Sequence, residues 1–160
     1  MEFRKLRDGE LAAAHAIIAA ATESLNARGI VQWPRVIPLE TYAERQARGE
    51  NFGLFGGGSL HAVMTLAPDV PERWRDREFA TPFLWLSTLA VAPGSKGRGR
   101  IAVEMAEAWA HDAGIAAIYL DCVDRDDALP SFYRSAGYTM LECREAWPGW
   151  PMCLFEKVLG

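Results

Sequence analysis

No apolar run in this 160-residue chain approaches the ~20 residues that a membrane-spanning helix needs, so a spanning helix is not expected. Met1-Glu2-Phe3-Arg4-Lys5 lacks the apolar stretch of a secretory leader, which makes the cytoplasm the expected compartment. Cysteine is scarce: Cys122, Cys143 and Cys153 are odd in number and match neither a disulfide framework nor CxxC spacing. Three reduced, buried thiols are therefore expected. His15, His61 and His111 show no metal-ligand spacing with one another or with the cysteines, and no metal is expected. A cationic excess is missing as well. The net charge of −4 argues against a general nucleic-acid binder, because displacing counterions from phosphates takes a broad Lys and Arg surface. Neither a Walker loop nor the Gly-x-Gly-x-x-Gly turn of a dinucleotide fold occurs, so ATP and NAD are poor candidate ligands.

What remains is ordinary globular material, 50% hydrophobic and 24% charged, enough for one domain over residues 1–160 with a proper core. A strand around Phe3 to Leu6 leads to Asp8 as a helix N-cap and to Leu11, Ala14, His15, Ile18 and Leu25 at helical spacing, with Gly29 as the stop. The segment Gly29 to Pro34 cannot continue that helix, and Pro38 suits the first turn of a second one running to about Gly49. Asn51–Phe55 and Ser59–Leu66 read as an antiparallel hairpin around Gly56-Gly57-Gly58. A polar loop, Ala67 to Pro82, is expected to act as a flap before the apolar strand Phe83 to Val91. A glycine-rich turn then precedes a helix carrying Ile101, Met105, Ala108 and Trp109. Ile115 to Cys122 reads as a central strand, Asp126-Asp127 as the cap of a short helix ending at Gly137, and Tyr138–Cys143 with Met152–Val158 as closing strands. Between those two lies a Trp-rich link, Trp147 to Pro151.

The turn Gly94-Ser95-Lys96-Gly97-Arg98-Gly99-Arg100 joins a strand to a helix N-terminus, where outward amides and the helix dipole attract an anion. With Lys96, Arg98 and Arg100 added, a diphosphate fits better than a lone carboxylate. A solvated, flexible turn is the alternative for this stretch taken alone.

Leu89-Ala90-Val91-Ala92-Pro93-Gly94-Ser95-Lys96-Gly97-Arg98-Gly99 resembles the GNAT acetyltransferase signature, a strand ending Val-x-Pro followed by Arg/Gln-x-x-Gly-x-Gly/Ala and a helix. Leu129-Pro130-Ser131-Phe132-Tyr133-Arg134-Ser135-Ala136-Gly137-Tyr138 is similar to the family's Leu-x-x-Phe-Tyr-x-x-x-Gly-Phe, and Gly29 to Pro34 resembles the Gly-Ile-x-Gln-Trp-Pro of one branch. Lys96 stands where Arg or Gln is usual, Arg100 and Ile101 where a small residue and then Gly or Ala are usual, and Asp126 where an Asn often contacts CoA. Ile101 is expected to crowd a phosphate placed there.

The resemblance implies an α/β (α+β) fold with a mixed sheet of six to seven strands, flanked by about four helices and splayed between the fourth and fifth strands. It implies acetyl-CoA as acyl donor and a small-molecule or peptide amine as acceptor, with no nucleic acid or membrane partner; a homodimer fits the family. Leu89, Ala90 and Val91 would bind the pantetheine arm, and Lys96, Gly97, Arg98, Gly99, Arg100 and Ile101 the pyrophosphate, with Asp126 nearby or simply capping its helix. Tyr133 matches the family's general acid for the CoA thiolate. Asp121, His61 and Glu145 are weak candidates for the base, and each has a structural alternative. Gln32, Trp33 and Trp85 lie where the family commonly builds its acceptor pocket, although plain packing also explains the tryptophans. Cys122 has no His/Asn companions that would make it a nucleophile. A non-catalytic acyl-CoA binder on the same fold is the alternative function, and a protein-binding domain without CoA a more distant one.

Overall fold

The computed structural model describes residues 1–160. The chain forms β1 (Glu2–Lys5), α1 (Leu11–Ala27), α2 (Leu39–Ala47), β2 (Asn51–Gly56), β3 (Ser59–Ala67), β4 (Phe83–Val91), α3 (Arg98–Asp112), β5 (Ala117–Val123), α4 (Ala128–Ser135), β6 (Thr139–Trp147) and β7 (Trp150–Val158). Short 3-10 turns at Asp8–Glu10 and Glu72–Trp74 complete it. The seven strands follow the order β1-β2-β3-β4-β5-β7-β6. β4 and β5 run parallel, while β2-β3 and β6-β7 are antiparallel hairpins. The mixed sheet with four helices is the expected architecture. The start of β4 pairs with β5 from Phe83↔Ala117 to Trp85↔Tyr119. No helix is long and apolar enough to cross a membrane.

Two compact units make up the chain, Met1–Leu66 with Ser87–Ala106, and Ala67–Leu86 with Glu107–Gly160. In the first, Ala14 and Ile18 sit four apart on one face of α1 and pack with Leu6, Tyr42, Val63 and Ala90. Its β2-β3 hairpin closes on Gly57 and Gly58, both at positive φ (59° and 78°), the geometry that a two-residue turn matching strand twist demands. In the second unit Trp74, Trp85, Ala117, Tyr119 and Leu154 form the core, bordered by Val70, Phe79, Phe83 and Met152.

That second core corrects the reading of Ala67 to Pro82 as a flap. The loop is pinned: Trp74 is fully buried, its Nε1 donates to Asp121 Oδ2 at 2.8 Å, and Arg73 donates to the same oxygen at 2.8 Å. Arg144 reaches back from β6 to Asp76 with two bonds of 2.7 and 3.0 Å and lies 4.7 Å over the Trp74 ring. The Tyr119 hydroxyl accepts from the Ala80 amide and donates to Glu156. An indole with its N–H satisfied and a cation on its face is an anchor, whatever the loop's polar composition.

The cysteines require a second correction. Cys143 and Cys153 stand directly opposite each other in the β6-β7 ladder and are joined as a disulfide, leaving Cys122 as the free, buried thiol. The physical reason is register: both strands extend further into the Trp-rich segment than hydrophobic patterning indicates, so only Pro148-Gly149 turns and the two sulfurs face across one rung. Trp147 and Trp150 stack across the same hairpin, 5.1 Å between ring centroids. Because disulfides persist chiefly in oxidising surroundings, the cysteine content is no argument for a reducing compartment.

Replacing Trp74 with Ala removes the anchor and opens a cavity, and is expected to lower unfolding free energy by about 3–5 kcal/mol in denaturant titration. A loss below about 1 kcal/mol would mean that the loop is not held as described.

Candidate functional site

β4 ends at Val91, and the chain then turns through Gly94 (φ 79°) and Gly97 (φ 86°). Nothing stands within 4 Å of where a Cβ would project at either position, so glycine is there for backbone conformation, not clearance. Ser95 N–H bonds the Ala92 carbonyl at 3.0 Å and Arg98 N–H the Ser95 carbonyl at 3.1 Å, closing the turn. α3 starts at Arg98, three residues earlier than the helical pattern from Ile101 indicates. The amides of Gly99 and Arg100 therefore lie in the opening turn, which lacks intrahelical acceptors and carries the positive end of the dipole. Ile101 falls at the end of that turn and is half-buried. Lys96 is exposed, Arg98 half-buried, and Arg100 is drawn back along the helix to Glu104 at 3.0 Å.

His61 on β3 is tied into this turn. The Gly56 carbonyl, 3.0 Å from Nε2, can only accept, so Nε2 carries the proton and Nδ1 accepts from the Ser95 hydroxyl at 2.8 Å. The His61 carbonyl also accepts from Ala92 N–H at 2.8 Å. Both ring nitrogens are thus engaged, which favours a structural role over that of general base.

Thr88, just before Leu89-Ala90-Val91, has φ 54°. For a β-branched residue this is a true outlier, costing about 1–3 kcal/mol. Arg45 on α2 donates from Nη1 to Thr88 Oγ1 at 2.8 Å and to Thr65 Oγ1 at 3.3 Å. Burial disfavours the charge on Arg45, which makes no ion pair; the Glu50 carboxylate pairs instead with Arg48. A bond from a charged donor contributes about 1.5–3 kcal/mol, comparable to the strain it opposes. Behind Arg45 the network is fully directed: Thr65 donates to Asn51, Asn51 donates to the Tyr42 carbonyl and to Gln46, and Gln46 donates to the Leu6 carbonyl. Sequence reasoning missed Arg45, Thr88 and Ser95. The available signal was Ser87-Thr88, a polar pair inside an apolar strand, and a cation three residues after Tyr42 on the same helical face.

In the same unit Gln32 and Trp33 occupy the irregular link after α1, where Trp33 packs on the core and is partly buried. His15 holds that link by donating to the Ile37 carbonyl at 2.7 Å.

The second unit contains Trp85, Asp121, Asp126 and Tyr133. Tyr133 on α4 is 3% exposed, set edge-on to Phe132 and Tyr138 and tilted on Phe155. Burial raises its phenol above the ordinary value, with Cys122 and Asp121 pushing the same way. The hydroxyl therefore keeps its proton throughout the neutral range and has it available to donate. Asp121, considered as a base, has its Oδ2 engaged by Arg73 and Trp74, and the geometry makes it the loop's latch. The N-cap of α4 is Asp127, and Asp126, one residue before it, accepts from Ala128 N–H on Oδ1 at 3.1 Å; Arg125 lies over the Trp150 ring at 5.2 Å. Glu145 projects from β6 into solvent. Trp85 is 3% exposed and stacks on Tyr119, so its indole is a core element and offers no face to an acceptor. No group of three His, Cys, Asp or Glu side chains is placed to hold a metal ion.

Burial, helped by Asp121 and Asp124, pushes the Cys122 thiol up to about 12. At about pH 8.5 it stays protonated and unreactive. Iodoacetamide should accordingly label no cysteine in the native protein, one after unfolding without reductant, and three after reduction, as read by intact mass. Rapid native labelling would contradict the buried thiol, and three labels without reductant the disulfide.

A family model described as the acetyltransferase (GNAT) family matches residues 15–138. The sequence finds no match among curated proteins. Solved structures with the same fold include a GNAT-family acetyltransferase from Listeria monocytogenes, 17% identical, with TM-score 0.81 over 99% of this chain and 94% of that one. A ribosomal-protein-alanine N-acetyltransferase from Brucella melitensis is 18% identical, with TM-score 0.71 over 99% and 100%. A Salmonella typhimurium protein solved with its cofactor acetyl-CoA is 16% identical, with TM-score 0.69 over 100% and 94%. The family match spans most of the chain and includes the glycine turn and Tyr133, and the chain belongs to the GNAT acetyltransferase family.

Proposed function

We propose that the chain, acting as a single domain over residues 1–160, transfers the acetyl group of acetyl-CoA to the primary amine of a small molecule or peptide by direct attack. The observation that carries this reading is the turn after β4, where two left-handed glycines deliver the chain into the amide-rich start of α3 between Lys96 and Arg98. Such a start suits a diphosphate: neutral amides supply directed hydrogen bonds and the cations supply charge. The edge of Leu89, Ala90 and Val91 suits the amides of a pantetheine arm, which would add to it as a strand does.

The chemistry then sets the remaining roles. A neutral amine attacks the thioester carbonyl carbon, the new C–N bond forms, and the oxygen becomes an oxyanion that a backbone N–H of β4 would stabilise. Collapse breaks the C–S bond. Tyr133 gives its proton to the departing thiolate, yielding free CoA, and the proton lost by the attacking nitrogen returns through water to the phenolate. Asp121 and His61 are both engaged elsewhere, so water is the carrier that the geometry favours. A flat or apolar portion of the acceptor would meet Gln32 and Trp33. Since one protein of this fold is a ribosomal-protein-alanine N-acetyltransferase, peptide N-termini belong in any acceptor screen beside small amines and lysine side chains.

Amines screened with detection of released thiol should reveal a turnover that Tyr133→Phe reduces about 100-fold or more, with acetyl-CoA affinity unchanged within about threefold. Full turnover in the variant would remove Tyr133 from the chemistry. Binding of acetyl-CoA without thiol release for any amine would instead indicate a binding module.

A further inference from the structure

We propose that Arg45 is a positioning residue for acyl transfer, holding Thr88 in its left-handed conformation so that β4 presents the amides of Leu89 to Val91 in a fixed direction. The proposal rests on the reading that this part of β4 carries the acyl donor. A residue with positive φ inside a strand rotates the following peptide plane and shifts which way the next amides point. Asn or Gly would adopt that conformation without help, whereas Thr, with its branched Cβ, reverts to the extended region unless something holds it. Here the hold is visible. Arg45 Nη1 is 2.8 Å from Thr88 Oγ1, and Arg45 is itself braced through Thr65, Asn51 and Gln46 to the backbone of β1's end.

Two features separate this from ordinary packing. Arg45 is half-buried and its two side-chain hydrogen-bond partners are neutral hydroxyls, while the Glu50 carboxylate that favours its charge through space is bonded to Arg48. Desolvation still outweighs that attraction, so a cation bonded only to neutral groups is a poor choice for stability alone. The strained residue it grips also adjoins the segment read as the donor's edge, and strain of this kind persists where surrounding structure over-determines it.

The discriminating experiment uses glycine, which needs no clamp. Arg45→Met should lower kcat by about 10- to 100-fold while the KM and Kd for acetyl-CoA change by less than about threefold. Adding Thr88→Gly to Arg45→Met should restore most of that kcat without raising the melting temperature, because glycine takes positive φ unaided. A merely structural role predicts the reverse, with the double variant no more active and less stable than Arg45→Met. Turnover of Arg45→Met within twofold of the parent, or no recovery in the double variant, overturns the proposal. Should Arg45→Met fail to fold, Thr88→Val removes the same bond at nearly constant volume and should show the same loss. A crystal structure of either variant reads the clamp independently of activity: residue 88 should return to negative φ, and a value remaining near that of the parent overturns the proposal. If residue 88 relaxes while the parent protein shows no acetyl transfer, the clamp stands and the assigned reaction is what fails.

Discussion

The proposed capacity of this chain to hold a diphosphate depends on how its backbone leaves β4. Gly94 and Gly97 take left-handed conformations that a side chain would resist, and between them the chain reverses into α3 with the amides of Gly99 and Arg100 in its first turn. Without those conformations Lys96 and Arg98 would be two surface cations among seventeen basic residues on an acidic protein. With them, fixed dipoles and mobile charges converge, and fixed dipoles need no reorganisation when an anion arrives. His61 contributes from β3 by bonding the Ser95 hydroxyl and the Ala92 amide, so the turn is braced by its neighbour strand as well as by its own hydrogen bonds.

The two units solve the same problem, fixing irregular backbone beside a strand, by different means. The first uses a directed polar network running from Gln46 and Asn51 through Thr65 and Arg45 to a strained Thr88. The second uses an aromatic anchor, Trp74, satisfied by Asp121 and covered by Arg144. Polar residues in both places work as brackets, which explains why Asp121 and His61, chemically plausible bases, are already occupied. The phenol of Tyr133 differs in kind: its ring is packed on three aromatics, and burial keeps its proton in place.

Most of the element order was legible because glycine and proline mark it. Gly57-Gly58 announce the hairpin, Pro38 the second helix, and Asp126 the start of α4. Features set by tertiary partners were not legible. The loop from Ala67 to Pro82 looks mobile by composition, and only the core around Tyr119 and Leu154 shows why Trp74 holds it. Cys143 and Cys153 pair because β6 and β7 continue through a segment rich in Trp, Pro and Gly, which patterning reads as a link. Trp85 is core since β5 places Tyr119 beside it. Of the proposed site, the glycine turn and Tyr133 stand out in local residue order, whereas Arg45 and Thr88 are forty-three residues apart and meet only in the folded chain.

A direct measurement is calorimetric titration of the intact protein with acetyl-CoA and, separately, with acetyl-pantetheine, which has the thioester arm but no diphosphate. If the turn after β4 is the anchor, acetyl-CoA binds at least about 100-fold more tightly, a difference of roughly 2.7 kcal/mol. Equal affinities, or no heat with either, would contradict the role given to that turn.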